Sequence, residues 1–167
     1  MNCRGEACFA QTGRASPAPT TRAYPSQTWE WGLIMRHCEQ SPPGELLRAI
    51  DEFNRGDWFD CHETLEDLWA GEVGEMRIFY QGLLQVAVAL HHWRGGNFKG
   101  AVSLLARGAE YLRRVRPVCQ GVDVSGFVAA ADRMLEALTA LGAERMSALD
   151  HSLIPRLRLV QLPKAGK

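Results

Sequence analysis

The sequence predicts an all-α protein, a single up-and-down antiparallel bundle of about five helices. From about residue 45 onward, apolar residues recur every three or four positions, which is the helical period. Glycine and proline clusters separate these periodic segments at short intervals, and short connections favour antiparallel neighbours. No segment has the spacing of a paired sheet or of a βαβ unit.

Composition sets the size of the domain and excludes two classes of partner. With 167 residues, 46% of them hydrophobic, the chain can bury one sizeable core. The 19 basic and 19 acidic residues leave no net charge to attract nucleic acid or an anionic membrane. We therefore expect neither nucleic acid nor a membrane as a partner.

The 5 cysteines are scattered along the chain, and none forms a C-x-x-C pair. This pattern predicts neither a disulfide framework nor a cysteine zinc site, and it favours a reducing, cytoplasmic location. Cys61 has no activating base on its own helical stripe, so we expect it to be a buried, unreactive thiol.

Residues 1–40 differ from the rest of the chain and predict a disordered N-terminal arm. They are rich in Ser, Thr, Pro, Gly and Ala, show no helical or strand period, and lack the continuous apolar segment of a signal peptide. An alternative is that translation begins at Met35 and that the arm is not made. In both cases the helical domain, with an extended C-terminal tail, spans residues 41–163.

Turn signals divide the first half of the domain into three predicted helices. Helix one covers about 45–55 and ends at Gly56, a natural C-cap. Helix two covers about 58–70, with Asp57 as its N-cap. Helix three, about 75–93, is apolar nearly all round, so it should be the central buried helix.

Two further helices and a tail complete the domain. Asn97 is the predicted N-cap of helix four, which ends before Pro117. Helix five follows a turn in which either Asp123 or Ser125 is the cap. Residues 153–160 then alternate in character and predict an extended tail that lies on the bundle.

Helix two concentrates imidazole, carboxylate and indole groups. At the helical period, one of its stripes holds Trp58, His62, Leu65, Glu66 and Trp69. Burying an unpaired carboxylate is costly, so the imidazole and the carboxylate should bond to each other, meet partners from another helix or hold a cation.

Helix three offers partners for this stripe. Four of its residues share one face: Gln81, Gln85, Val88 and His92. If helices two and three pack antiparallel through these faces, His62 and Glu66 approach that polar face and the polar groups satisfy one another. His91 points about a third of a turn away, so it ranks below His92 as a partner.

The sequence therefore predicts a site with two sets of residues. The candidate metal-binding or ligand-binding residues are His62, Glu66 and His92. The residues expected to support them are Gln81, Gln85, Trp69, Trp58 and Glu63. One divalent metal such as zinc, with water in an open position, is the cofactor that this set would hold. No residue is assigned to catalysis or to an organic cofactor.

The same residues resemble a known family. In order, the chain carries Phe53-Asn54-x-Gly56-x-x-Phe59, H-x-x-x-E-x-x-W over 62–69, Gln81-Gly82-Leu83-Leu84-Gln85, His92, Gly96-Asn97-x-x-Gly100-Ala101 and Gly121-Val122-Asp123-Val124. These blocks are similar to the uncharacterised bacterial and archaeal family called domain of unknown function 309, over about 46–163. The resemblance implies an all-helical domain whose H-x-x-x-E-x-x-W signature is suspected of binding metal, and it implies no reaction. Residues 1–40 lie outside it, which favours the start at Met35.

Three function classes stay open. The first is a helical protein whose polar pocket binds a divalent metal or a small ligand. The second is a structural or interaction domain in which the polar pair only fixes helix register. The third is a metal-dependent hydrolase. His62-Glu63-x-x-Glu66 lacks the second histidine of a zincin, so the sequence favours a role without catalysis.

Assembly is predicted from apolar residues on the last two helices. We expect these residues near surfaces that the five helices cover incompletely: Leu112, Val115, Phe127 and Val128. Apolar patches of this kind often mark dimer contacts, so a monomer or a homodimer is expected.

Overall fold

Within residues 37–160, five α-helices follow one another along the chain, and each packs on the next. The computed structural model describes residues 37–160. The helices are α1 (Gly44–Arg55), α2 (Trp58–Ala70), α3 (Gly74–Arg94), α4 (Phe98–Leu112) and α5 (Val124–Leu141). The predicted all-α antiparallel bundle is confirmed. The predictions for residues 1–36, including the start at Met35, and for residues 161–163 lie outside the described residues.

The helix ends show which caps form. Gly56 adopts φ 88° and donates its N–H to carbonyls at the end of α1, as expected of a C-cap. Asn97 accepts from the N–H of Gly100, and Asp123 accepts from that of Gly126, so Asp123 is the cap of α5. Asp57 is the N-cap residue of α2, as predicted, but its carboxylate accepts a hydrogen bond from Arg55 Nε and makes no capping bond.

The backbones of the central helix α3 and of α4 approach each other closely. A Cβ atom added to Gly108 would lie 2.7 Å from Val86 Cγ2 and 3.0 Å from the carbonyl oxygen of Gly82. Only glycine at these positions allows the two helices to approach so closely. The side of α3 that carries Gly82 and Val86 is therefore fixed against α4.

A short ribbon between α4 and α5 was not predicted. Its two-residue strands, β1 (Val118–Cys119) and β2 (Val122–Asp123), pair antiparallel, and Val122 also bridges to Leu159 of the C-terminal tail. Strands this short have no measurable period in the sequence. The tail is also fastened at Asn54, whose side chain donates to the carbonyl of Leu157 and accepts from its N–H.

A disulfide joins Cys38 to Cys119, across a sequence separation of 81 residues. The expectation that no disulfide forms is wrong, because the fold brings together two cysteines that no spacing rule links. Both are buried, at 2% and 0% exposure, and Gln120 N–H donates to the carbonyl of Cys38 at 2.7 Å. Cys38, assigned to the arm, is thus part of the folded domain. The cytoplasmic location stays a prediction, without the cysteine pattern to support it.

The apolar residues expected near a surface are mostly covered. Leu112, Val115 and Phe127 are buried, and only Val128 is half-buried, in a cleft of about 340 Å³ between α4 and α5. A monomer or a homodimer stays a prediction. Among residues 37–160, no helix combines the length and the apolar character needed to cross a membrane.

Candidate functional site

The polar pair of α2 lies at the border of its buried face. Trp58 and Leu65 are buried, whereas the side chain of His62 is 15% exposed and that of Glu66 is 40% exposed. His62 Nε2 stands 3.8 Å from Glu66 Oε2, which is too long for a hydrogen bond. The pair is therefore within reach of a solvent-borne ligand, and it is not a sealed core network.

His91 of α3, and not His92, faces the motif of α2. The Phe59 ring centroid lies 5.7 Å from that of His91 and 6.2 Å from that of His62. Burial lowers the pKa of His91, and electrostatic repulsion from Arg94, His92 and His62 lowers it further. His91 is therefore neutral at neutral pH, and within the described part of the chain its buried Nδ1 has no hydrogen-bond partner.

His92 belongs to the contact between α3 and α4. Its Nδ1 lies 3.1 Å from Asn97 Nδ2, and its Cγ lies 3.0 Å from the position of a Cβ on Gly100. Burial also lowers the pKa of His92. Among residues 37–160, His62, Glu66 and His92 do not form a group placed to hold a metal ion.

At the C-terminal end of α2, Trp69 lies beneath an arginine of α3. Arg77 Cζ is 3.8 Å from the centroid of the Trp69 ring, and its Nη1 donates to the carbonyls of Trp69 and Glu72, both at 3.2 Å. The indole Nε1 is buried and has no acceptor among the described residues. An unused donor thus lies close to a fixed guanidinium.

Two glutamines of α3 were expected to support the site. Gln81 is half-buried, while Gln85 is only 8% exposed. The Gln85 Oε1 atom is buried without a donor in the described residues. The expected mutual satisfaction of the polar groups is therefore incomplete.

The two remaining predicted residues lie elsewhere. Trp58 is a structural anchor: its Nε1 donates to the carbonyl of Phe53 at 3.1 Å, and Arg94 lies over its ring. Glu63 is exposed on α2.

A metal ion held by His62, Glu66 and His92 stays a prediction. The described residues contain no group of three or more His, Cys, Asp or Glu side chains placed to hold one. His92 bonds through its Nδ1 to Asn97 at the start of α4. Cys61 is not a nucleophile, because burial, with the charge of Glu52, raises the pKa of its thiol far above the ordinary value.

Sequence reasoning left Phe59 and Arg77 out of the site and ranked His91 below His92. Phe59 stands three positions before His62, so the helical period alone places it on the same side of α2. Arg77 and His91 need the packing of α3 on α2, and the sequence does not specify the rotation of a helix about its axis.

Residues 46–104 match the model of a family described as Domain of unknown function (DUF309). The chain is 40% identical over 73 residues to the uncharacterized protein YpuF of Bacillus subtilis (strain 168), covering 42% of each chain. It is 37% identical over 97 residues to an uncharacterized protein of Aquifex aeolicus (strain VF5), covering 57% of this chain and 29% of that protein. The chain thus spans less than half the length of either relative. Over residues 46–104 the chain is therefore similar to the family described as Domain of unknown function (DUF309).

Proposed function

We propose that this domain binds a small polar molecule along the contact between α2 and α3. The residues of this polar surface are His62, Glu66 and Trp69 of α2 and Gln81, Gln85 and His91 of α3. One observation carries the proposal. Among residues 37–160, four buried side-chain polar atoms lack a hydrogen-bond partner, and three of them belong to the polar surface: Trp69 Nε1, Gln85 Oε1 and His91 Nδ1.

Unpartnered buried atoms are expensive and therefore uncommon. Each costs about 1–3 kcal/mol, and native proteins usually satisfy such groups with protein or bound molecules. A purely architectural role predicts polar groups that satisfy each other. The indole is a donor only and the amide oxygen an acceptor only, so a ligand with both kinds of group would serve them together.

A binding role accounts for these groups better than a reaction does. His62 and Glu66 stand apart at 3.8 Å, and no set of three ligands accompanies them within the described residues. We therefore assign hydrogen-bonding roles to the surface and no hydrolytic step.

Replacing Gln85 with methionine tests the proposal on the free protein. The side chain keeps its approximate size and loses the unpaired oxygen, so Gln85→Met should stabilise the unliganded domain by up to about 1–3 kcal/mol in urea denaturation. The matched control is Gln81→Met, one turn away and half-buried, which should change stability by less than about 0.5 kcal/mol.

A screen of small polar compounds completes the test. A ligand should raise the melting temperature of the wild type and lose most of that effect on Gln85→Met, because binding stabilises only the folded form. A Gln85→Met variant that is clearly destabilised would mean that Gln85 already has its partner, and it would end the proposal.

A further inference from the structure

Residues 37–43, the N-terminal segment before α1, are attached to the ribbon mainly through Cys38. Cys38 is the buried residue of this segment, and it forms the disulfide with Cys119. Its carbonyl accepts from the N–H of Gln120 at 2.7 Å. The other residues of the segment are exposed or half-buried. The attachment is therefore concentrated at one residue.

The remaining attachment of the N-terminal segment is weak. Glu39 forms an ion pair with Arg116, but the two side chains are 63% and 57% exposed, and exposed ion pairs contribute little to stability. Among residues 37–160, no further hydrogen bond or ion pair joins the segment to residues beyond α1. Without the disulfide, one backbone hydrogen bond and one exposed ion pair would hold the segment.

Breaking the disulfide forces its two sulfur atoms apart. Sulfur atoms that are no longer bonded must separate to van der Waals contact, and a close-packed interior leaves little room for this movement. Cys119 is confined, because it pairs with Val122 in the ribbon and its Sγ lies 3.8 Å from Met76 Sδ of α3. The displacement therefore falls on Cys38 and the weakly held segment.

The turn between the two strands of the ribbon depends on the N-terminal segment. Cys119 and Gln120 are both 0% exposed. Gln120 adopts φ 47°, a left-handed conformation that residues other than glycine keep only when their surroundings hold them. If Cys38 moves away, the Gln120 N–H loses its acceptor. The same turn holds the C-terminal tail, because the Gly121 carbonyl accepts from Val160 N–H at 2.7 Å.

We propose that the Cys38–Cys119 disulfide is a redox switch: its reduction releases the N-terminal segment and loosens the ribbon and the tail, while the five helices stay folded. Both cysteines lie outside the helices, which pack on one another. The switch does not depend on the proposed ligand site.

The chemistry of the switch is thiol–disulfide exchange with a dithiol. The reductant supplies two electrons and two protons, leaves as its own disulfide, and converts Cys38 and Cys119 into thiols. An oxidised dithiol takes the two electrons and two protons back and restores the bond. Because both sulfur atoms are buried, attack follows a transient opening of the N-terminal segment.

Hydrogen exchange followed by mass spectrometry, on the oxidised full chain and after reduction with dithiothreitol, tests the switch. With labelling for seconds to minutes, reduction should speed exchange in peptides that contain residues 37–43, 118–123 and 158–160, while peptides of α3 stay protected. The double variant Cys38→Ser, Cys119→Ser should exchange like the reduced protein without any reductant. Unchanged exchange at 37–43 and 118–123, or equally fast exchange in α3, would overturn the proposal.

Alkylation of the native, reduced protein gives a second readout with an internal control. Cys119 should react with iodoacetamide, whereas Cys61, 0% exposed within α2, should stay unmodified until the protein is denatured. A Cys119 thiol that reacts as slowly as Cys61 would contradict release of the segment. Peptide mapping that finds Cys38 and Cys119 alkylated in protein purified without reductant would exclude the switch outright.

Glu39→Gln is the matched control for the exchange experiment. It removes the ion pair with Arg116 and keeps the disulfide, so the exchange of residues 37–43 in the oxidised protein should not change. Release of the segment by Glu39→Gln alone would show that the disulfide is not what holds it.

Discussion

His91 is the imidazole of the site whose surroundings favour the neutral form. Its pKa is lowered in the folded state, so the unfolded chain binds a proton more readily. Stability linked to His91 is therefore present above the unfolded pKa, near 6.5, and is lost as pH falls toward the folded pKa. The same sign holds for His92.

We predict that His91→Gln loses less stability than the wild type when the pH is lowered from about 7 to about 5. Urea denaturation at the two pH values measures this difference. His37→Gln, at an exposed position, is the control and should follow the wild type. Equal losses in all three proteins would show that His91 is not responsible for the acid sensitivity.

The cap of α5 gives a second prediction. The Asp123 carboxylate accepts from the N–H of Gly126 at 2.9 Å, whereas Ser125 is exposed and makes no capping bond. Asp123→Ala should cost about 1 kcal/mol of the free energy of unfolding, and Ser125→Ala less than about 0.5 kcal/mol. The reverse order in chemical denaturation would mean that the cap is misassigned.

Among the elements, the contact between α3 and α4 is the most demanding sterically. An alanine methyl at Gly108 would press on Val86 and on the backbone of α3, which cannot rotate away. We expect Gly108→Ala to destabilise the domain by about 1–3 kcal/mol in urea denaturation. Gly71→Ala, where nothing lies within 4 Å of the added methyl, should be neutral or slightly stabilising. A neutral Gly108→Ala would mean that the helices can separate without cost.

That contact also explains which part of the site could be predicted. Periodicity placed α2 at 58–70, as observed, and identified its polar border. His91 stands nine residues after Gly82, which at about 100° per residue is the opposite side of α3. The side of α3 that carries Gly82 packs closely on α4, because glycine has no side chain there. His91 therefore faces α2, and His92 lies at the start of α4. The helical period shows which residues of α3 share a face. The packing of α4 on α3 determines which of those faces is directed toward α2.

Sequence signals for helix caps and strands also failed to predict some contacts of the side chains. Asp57 has the residue type and position of an N-cap, yet Arg55 lies two positions away and takes its carboxylate. The ribbon at 118–123 depends on the tail and on Cys38, neither of which is a neighbour in sequence. Contacts between residues so far apart in the sequence do not produce a periodic pattern of apolar residues.

For the whole molecule, the Cys38–Cys119 bond predicts a stability that depends on redox conditions. Closing a loop of this length restricts the unfolded chain, and such a bond typically stabilises by about 2–4 kcal/mol. Reductant should lower the melting temperature of the wild type. The double variant Cys38→Ser, Cys119→Ser should melt at the lower temperature and ignore reductant. Since cytoplasmic reductants keep thiols reduced, the compartment decides which form is present.

The Cys38–Cys119 disulfide also changes how the chain extends under mechanical force. Because α1 to α4 lie between Cys38 and Cys119 in the sequence, tension applied at the two ends passes through the disulfide and bypasses the enclosed residues 39–118. About 280 Å of contour length is then withheld from extension until the bridge is cut. A motor that unfolds proteins from the N-terminus would reach the bridge at Cys38 and would then have to draw three segments of the chain through its channel side by side.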